Sequence, residues 1–353
     1  MKTLNDYRAS QDNWSDFDYR EEVDNTEANC RRYRILLEIQ YDWQEQDHEL
    51  VRYLFEEEIK TEEEFSTSIF ESYDLASFLL LKFKDPTDIP LFVRAKHASF
   101  DKGCGYDREH FFVTLREKTE DYLEKNFPKS YGAVAGDYEE YEFEENLEDW
   151  WQYRLYCYPS SRDEVDIYNH LQNSILFQDR KQAEELLAQW DAETEDSEEK
   201  RNLLRRIYSD LGEYKKLFEL SKKIKTDEEK SLWDRASDLK IFVVLATKAE
   251  AYPEALEYAK ALALVFTQTT EWYDIGLGRM AKEEVFNLAK SSNDKEIAKE
   301  AFYIAHKWHE ENCDMSWSGL ESAWKSAEYC GLEEKRIYYK ELADIERRRI
   351  DEM

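Results

Sequence analysis

Four segments of this chain align without gaps, and they constrain its fold more than any other feature. They are "QDRKQAEELLAQW" from residue 178, "GEYKKLFELSKKI" from 212, "EAYPEALEYAKAL" from 250 and "NDKEIAKEAFYIA" from 293, with a weaker fifth, "GLEEKRIYYKELA", from 331. Each opens on a polar or glycine turn. Five positions later stands a small or apolar residue: Ala183, Leu217, Ala255 or Ala298. Further packing residues follow four and seven beyond it, as in Leu187 with Trp190 and Ala259 with Leu262. Those offsets keep to one side of an α-helix, so each segment predicts an amphipathic helix. Pro253 falls in the first turn, where its missing N–H costs nothing. A second helical stretch precedes each segment, for example "RNLLRRIYSDL" before Gly212. The starts lie 34, 38, 43 and 38 residues apart, a period suited to stacked helix pairs.

Turn chemistry extends the helical reading to the whole chain. Only 9 Gly and 5 Pro occur in 353 residues, far below the roughly 7% and 5% usual in globular proteins. Hairpins and phosphate-cradling loops consume glycine, so the chain predicts an all-α fold of long helices and short connections. In the first half, "EANCRRYRILLEIQYDW" places Tyr33, Leu36, Leu37 and Ile39 near one face. "TEEEF" at 61–65 reads as a capping box, with Thr61 and Glu64 opening a helix that runs through Leu79. Asp88 reads as an N-cap with Pro90 behind it. Gly103 and Gly105 read as a chain break, after which Asp107 caps a helix ending near Phe127, before Pro128. These signals predict an N-terminal helical domain over 1–130 and a helical repeat domain over 150–353. Between them, 131–149 is expected as an acidic linker. Its core, "DYEEYEFEENLED", holds eight carboxylates in thirteen residues, and such crowding favours an extended, solvated strip.

"LGEYKKLFELSKK" and "AEAYPEALEYAKALA" resemble the second helix of tetratricopeptide repeats, in the Gly-x-Tyr turn and in the alanine at the packed position. The resemblance covers roughly residues 160–345. It departs from the family in its drift from the usual period of about 34 residues and in lacking most of the first-helix Trp, Leu and Gly pattern. It implies a stacked helix-pair solenoid with a peptide- or protein-binding face and no catalysis. A second stretch, "WSGLESAWKSAEYCGL" at 317–332, is similar to the C-terminal region of bacterial immunity proteins that neutralise polymorphic toxins, with the glutamate displaced by one position. Those proteins are often all-helical and acidic.

Charge narrows the partners. Acidic residues number 80 and basic residues 49, for a net charge of −31. Such a surface repels nucleic acid and anionic membranes and attracts a basic protein. The strip Asp137, Tyr138, Glu139, Glu140, Tyr141, Glu142, Phe143, Glu144 and Glu145 combines carboxylates with rings. It is a candidate partner-binding surface, because aromatic side chains supply contact area and cation–π faces; its plainer reading is a solvated linker. The five cysteines, Cys30, Cys104, Cys157, Cys313 and Cys330, are odd in number and form no C-x-x-C pair. They point to a reducing compartment. With no apolar run at the N-terminus and no stretch of membrane-spanning length, a soluble cytoplasmic protein is expected.

Catalytic signals are sparse. His306, His309 and Cys313 sit at offsets of three and seven and would share one flank of a helix. They are the candidate metal ligands, although zinc asks for four ligands or three plus water and no H-E-x-x-H is present. His97, Asp101, Cys104 and His110 could activate a thiol at a helix start, but the glycines there suffice to mark an inter-helix turn. "GLGRMAK" at 276–282 lies in a helical stretch and lacks the context of a nucleotide loop; it reads as a loosened helix with close packing. No motif calls for a cofactor. The expected function is therefore non-enzymatic binding of a basic protein, most concretely as an immunity-type inhibitor of a basic toxin such as a nuclease. The alternative is a regulatory or scaffold protein that binds peptides; a metal-dependent enzyme is the third reading.

Overall fold

Helices account for every regular element of the computed structural model, which describes residues 2–21, 24–65, 69–138, 143–223, 231–268, 272, 276–312 and 314–352; no strand occurs among them. The fold is all-α. The chain divides into two compact units, Met1–Trp190 and Asp191–Met353. The segment 131–149 lies within the first of these. No helix among the described residues is long and apolar enough to cross a membrane.

The first unit holds α1 (Leu4–Ala9), α2 (Thr26–Tyr41), α3 (His48–Phe65), α4 (Phe70–Leu81), α5 (Ile89–Lys96), α6 (Phe100–Gly105), α7 (Glu109–Phe112), α8 (Thr119–Asn126), α9 (Pro128–Tyr138), α10 (Phe143–Cys157) and α11 (Ile167–Leu176). The unit boundary falls within α12 (Arg180–Glu193). The apolar run in "FESYDLASFLLL" explains the centre of this unit: nine residues of α4 are buried, and both α2 and α3 pack on it. Beside α4 lies an interior ion pair. Arg32 Nε donates to Glu58 Oε1 at 2.9 Å, and both side chains are fully buried. Asn29, Thr61 and the carbonyl of Phe17 accept three more of the guanidinium hydrogens, while Ser72 donates to Glu58. A buried charge survives only when paired and hydrogen-bonded in this way.

Several local expectations for this half are corrected. Thr61 does not cap a helix start; it lies in the last turns of α3, where its hydroxyl donates to the Glu57 carbonyl at 2.8 Å. Gly103 lies within the short α6, and the chain breaks as expected at Gly105, the last residue of that helix. The helix expected from Asp107 to Phe127 is divided into α7, a 3-10 turn at Arg116–Lys118 and α8. Asp88 does precede α5, but its carboxylate turns inward to His48 and Arg52 at 2.7 and 2.8 Å instead of capping. Pro128 ends one helix and opens the next, because a proline is harmless in a first turn.

The second unit is built from helix pairs: α13 (Glu198–Asp210) with α14 (Tyr214–Lys222), α15 (Leu232–Lys248) with α16 (Tyr252–Phe266), α17 (Gly276–Ser291) with α18 (Lys295–Glu311), and α19 (Trp317–Cys330) with α20 (Glu333–Asp351). The first members of successive pairs pack in order, α15 on α17 and α17 on α19, and α16 packs on α18. All five aligned segments, including the one that starts α12, begin two residues before a helix. Their common residues are where the alignment places them, with Ala183, Leu217, Ala255 and Ala298 all buried. Four of the five also share one turn. Gln178, Gly212, Glu250 and Gly331 have φ of 59°, 69°, 62° and 72°. In each case the next residue's N–H reaches back to a carbonyl five residues earlier, such as Ala251 to Ala246 at 2.8 Å. This is the left-handed helix stop that satisfies the last carbonyls. Gly278 has a different role. A Cβ there would lie 2.3 Å from the Trp272 carbonyl oxygen, so close packing accounts for "GLGRMAK".

Candidate partner-binding surface

The acidic strip expected to be extended is helical wherever the structure describes it. Asp137 and Tyr138 end α9, and Phe143, Glu144 and Glu145 form the first turn of α10; Glu139, Glu140, Tyr141 and Glu142 lie outside the described residues. Magnitudes explain the correction. Like-charge pairs four apart cost about 0.2–0.5 kcal/mol each, and acids in a first turn are favoured by the helix dipole. Against this, each large apolar side chain buried contributes about 1.5–3 kcal/mol. Leu147 is buried, and Trp150 and Trp151 pack on the core of the first unit. Trp150 Nε1 also donates to Asp107 at 2.8 Å, and Arg154 pairs with Asp74 at 2.8 Å.

The opposite face of α10 carries what sequence reading missed. Tyr153 is 61% exposed and Tyr156 is 82% exposed, with Leu155 also open to solvent. Glu148, Asp149 and Gln152, one turn back, are exposed as well. Tyr153 and Tyr156 follow Asp149 at offsets of four and seven, so rings and carboxylates share a stripe. The signal was present in "EDWWQYRLYCY": its aromatic residues are too many for one face, so some must point outward. Phe70 and Phe100 are exposed too, each at the first position of its own helix. Among the described residues, only α10 joins two exposed rings to neighbouring exposed acid.

His306 and His309 are both buried, on the flank of α18 that meets α20. His306 Nδ1 lies 2.6 Å from the Tyr339 hydroxyl and His309 Nε2 lies 3.3 Å from that of Tyr338. The structure places this flank against α20, in the following helix pair. Burial lowers both imidazole pKa values, with Lys335 adding to the effect at His306; burial, Lys282 and His306 push His309 down to about 4. Both rings are thus neutral near pH 7, with one nitrogen each committed to a tyrosine. Cys313 lies outside the described residues, and among those described no three His, Cys, Asp or Glu side chains form a group able to hold a metal ion.

The second chemical candidate is dispersed. Cys104, Asp101 and His97 are exposed, whereas His110 is buried, stacked on Tyr106 at 4.3 Å with Nδ1 donating to the Asp107 carbonyl at 2.8 Å. Burial and the nearby Arg154 push its pKa down to about 4. It serves the aromatic packing between α7 and α10.

One polar seam marks the second unit. Between α17 and α19, Ser316 donates to Glu283 at 2.9 Å, Ser322 to Asn287 at 2.8 Å, and Lys290 to Asn287 and Ser322 at 3.1 and 3.3 Å. Glu283, Asn287 and Lys290 are half-buried, so these groups stay accessible along the paired helices.

No protein-family model matches this chain, and neither the curated proteins nor the solved structures give a match to it.

Proposed function

We propose that this chain is a non-enzymatic recognition protein for a basic protein partner, in the form of an immunity-type inhibitor that neutralises a basic toxin such as a nuclease. The observation that carries the reading is the outward face of α10, with Tyr153 and Tyr156 exposed beside Glu148 and Asp149. The surrounding charge supports it: residues 1–190 hold 44 Asp and Glu against 22 Lys and Arg. Opposite charge steers encounter, and exposed tyrosines supply contact area that costs little side-chain entropy to fix. The helix pairs of the second unit, read as a tetratricopeptide-like stack, suit the same role.

The test is association kinetics across a salt series between the full chain and any basic protein that a neighbouring reading frame encodes. We expect the on-rate to fall by about tenfold or more from low to high salt, and Tyr156→Ala to raise the off-rate. An on-rate indifferent to salt, together with an unchanged off-rate, sinks the reading. The alternative, a scaffold that binds peptides, is favoured by the polar seam between α17 and α19. In that case Asn287→Ala, and not Tyr156→Ala, weakens binding.

A further inference from the structure

Three lysines are buried among the described residues: Lys102, Lys200 and Lys282. Two of them follow the rule that a buried charge is hydrogen-bonded. Lys200 donates to the carbonyls of Asp191 and Thr194 at 2.6 and 2.7 Å and pairs with the Asp191 carboxylate at 2.7 Å. Lys282 donates to the carbonyls of Asn312 and Asp314 at 2.7 and 2.5 Å. Lys102 departs from it. The residue is only 9% exposed, yet among the described residues no carbonyl, hydroxyl or carboxylate accepts from its Nζ.

Two rings surround this amine instead. It lies 4.0 Å from the ring centroid of Tyr73 and 5.0 Å from that of Phe70, both on α4. Tyr73 is buried and Phe70 is 66% exposed, so the amine sits between an interior ring and a surface ring. The local sequence puts it there. Ser99 caps α6 by accepting the Lys102 N–H at 3.3 Å, and Lys102 is the one buried residue of that helix. Buried side-chain nitrogens that lack both solvent and a partner include Arg154 Nε and Gln172 Nε2 but not Lys102 Nζ, so the tip of Lys102 touches water. The amine is therefore reachable but poorly solvated. Burial is the first cause acting on it and holds its pKa below the ordinary 10.5, against the pull of Glu62, Asp74, Glu58 and Asp101. Paired lysines elsewhere in this acidic chain go the other way: Glu219 raises Lys222, and Glu300 with Glu257 raises Lys260. A desolvated lysine without a bonded counter-ion is the arrangement that yields a nucleophilic amine.

We propose that Lys102 is the principal site at which small activated acyl donors, such as acyl thioesters, modify this chain. The neutral amine attacks the carbonyl carbon, the C–S bond breaks, and the thiolate leaves with the proton shed by nitrogen. The products are an amide and a thiol, and nothing is oxidised or reduced. The amide is uncharged, so acylation also removes an unpaired charge from between the two rings. Lys82 is the nearest parallel, half-buried over Trp43 at 4.9 Å and with its pKa also lowered by burial. It is less enclosed, and a second, slower site is expected there. This inference does not depend on the partner-binding reading, whose surface is on α10.

The probe is the acetyl thioester of N-acetylcysteamine, supplied to the full chain in limiting amount, with site occupancy read by peptide mass spectrometry across a pH series. Lys102 is expected to be acetylated at least about threefold faster than the exposed Lys181 and Lys215, and its rate should level off at a lower pH than theirs. Lys102→Arg keeps the charge and is expected to remove the fastest phase of thiol release while leaving the slower ones. A Lys102 no faster than Lys181 and Lys215 overturns the proposal, as does a rate that climbs with pH in parallel with theirs, or a fastest phase that survives Lys102→Arg. Faster acetylation at Lys82 overturns the choice of Lys102.

Discussion

At the scale of single residues, the histidines show how packing overrides chemical suggestion. His306 and His309 look like metal ligands when only their spacing is considered, and His110 like a partner for a cysteine. Two of these rings, His110 and His309, are pushed down to about pKa 4 with burial as the first cause. Their ordinary value is 6.5, so the unfolded chain binds protons that the folded one refuses between pH 6.5 and 4. Stability is therefore intact above pH 6.5 and is lost as pH falls through that window, by up to about 3 kcal/mol per ring. Urea unfolding at pH 7 and pH 5 should show the loss. His110→Phe, which keeps an aromatic ring beside Tyr106 and removes the titration, should reduce the slope. A slope unaltered by that substitution would place the acid sensitivity elsewhere.

At the scale of elements, the repeated helix stop is the most exposed to test. Gly212 and Gly331 occupy the left-handed position without a Cβ, whereas Gln178 and Glu250 occupy it with one. A side chain in that region costs about 1–2 kcal/mol relative to glycine. Glu250→Gly should accordingly stabilise the protein by roughly 1 kcal/mol and raise Tm. Its one ion pair, with Lys215 at 3.5 Å, is largely exposed and worth little. Gly331→Ala should lower stability by a similar amount, although an added Cβ meets nothing within 4 Å, because the cost is conformational. Calorimetry on both variants decides the matter; equal Tm values would refute the shared-turn account.

At the scale of the whole molecule, charge dominates. A net charge of −31 opposes compaction, and salt screens that repulsion over about 8–10 Å. Raising sodium chloride from low to half-molar levels should raise Tm, and the on-rate for a basic partner should fall over the same range. A Tm that drops with salt would mean that the exposed ion pairs outweigh the self-repulsion.

The helix pairs were legible in the amino-acid order because a helical repeat is a local matter: turn residues and a packed stripe recur within some fifteen positions, and each hairpin takes its neighbour as its partner. The all-α class, the buried run in α4, the turn before each second helix and the tight packing at Gly278 all belong to that local grammar. Other features depended on distant segments. The acidic start of α10 is helical because Leu147, Trp150 and Trp151 find a core made by residues far away in the chain. Arg32 is buried because Glu58, Thr61 and Ser72 converge on it. A polar cleft beside Arg34 and Phe177 exists because a stripe on α2 meets one on α11, more than a hundred positions later. Hydrophobic spacing reports which side of a helix is buried, whereas the partner across from that side is set by tertiary packing.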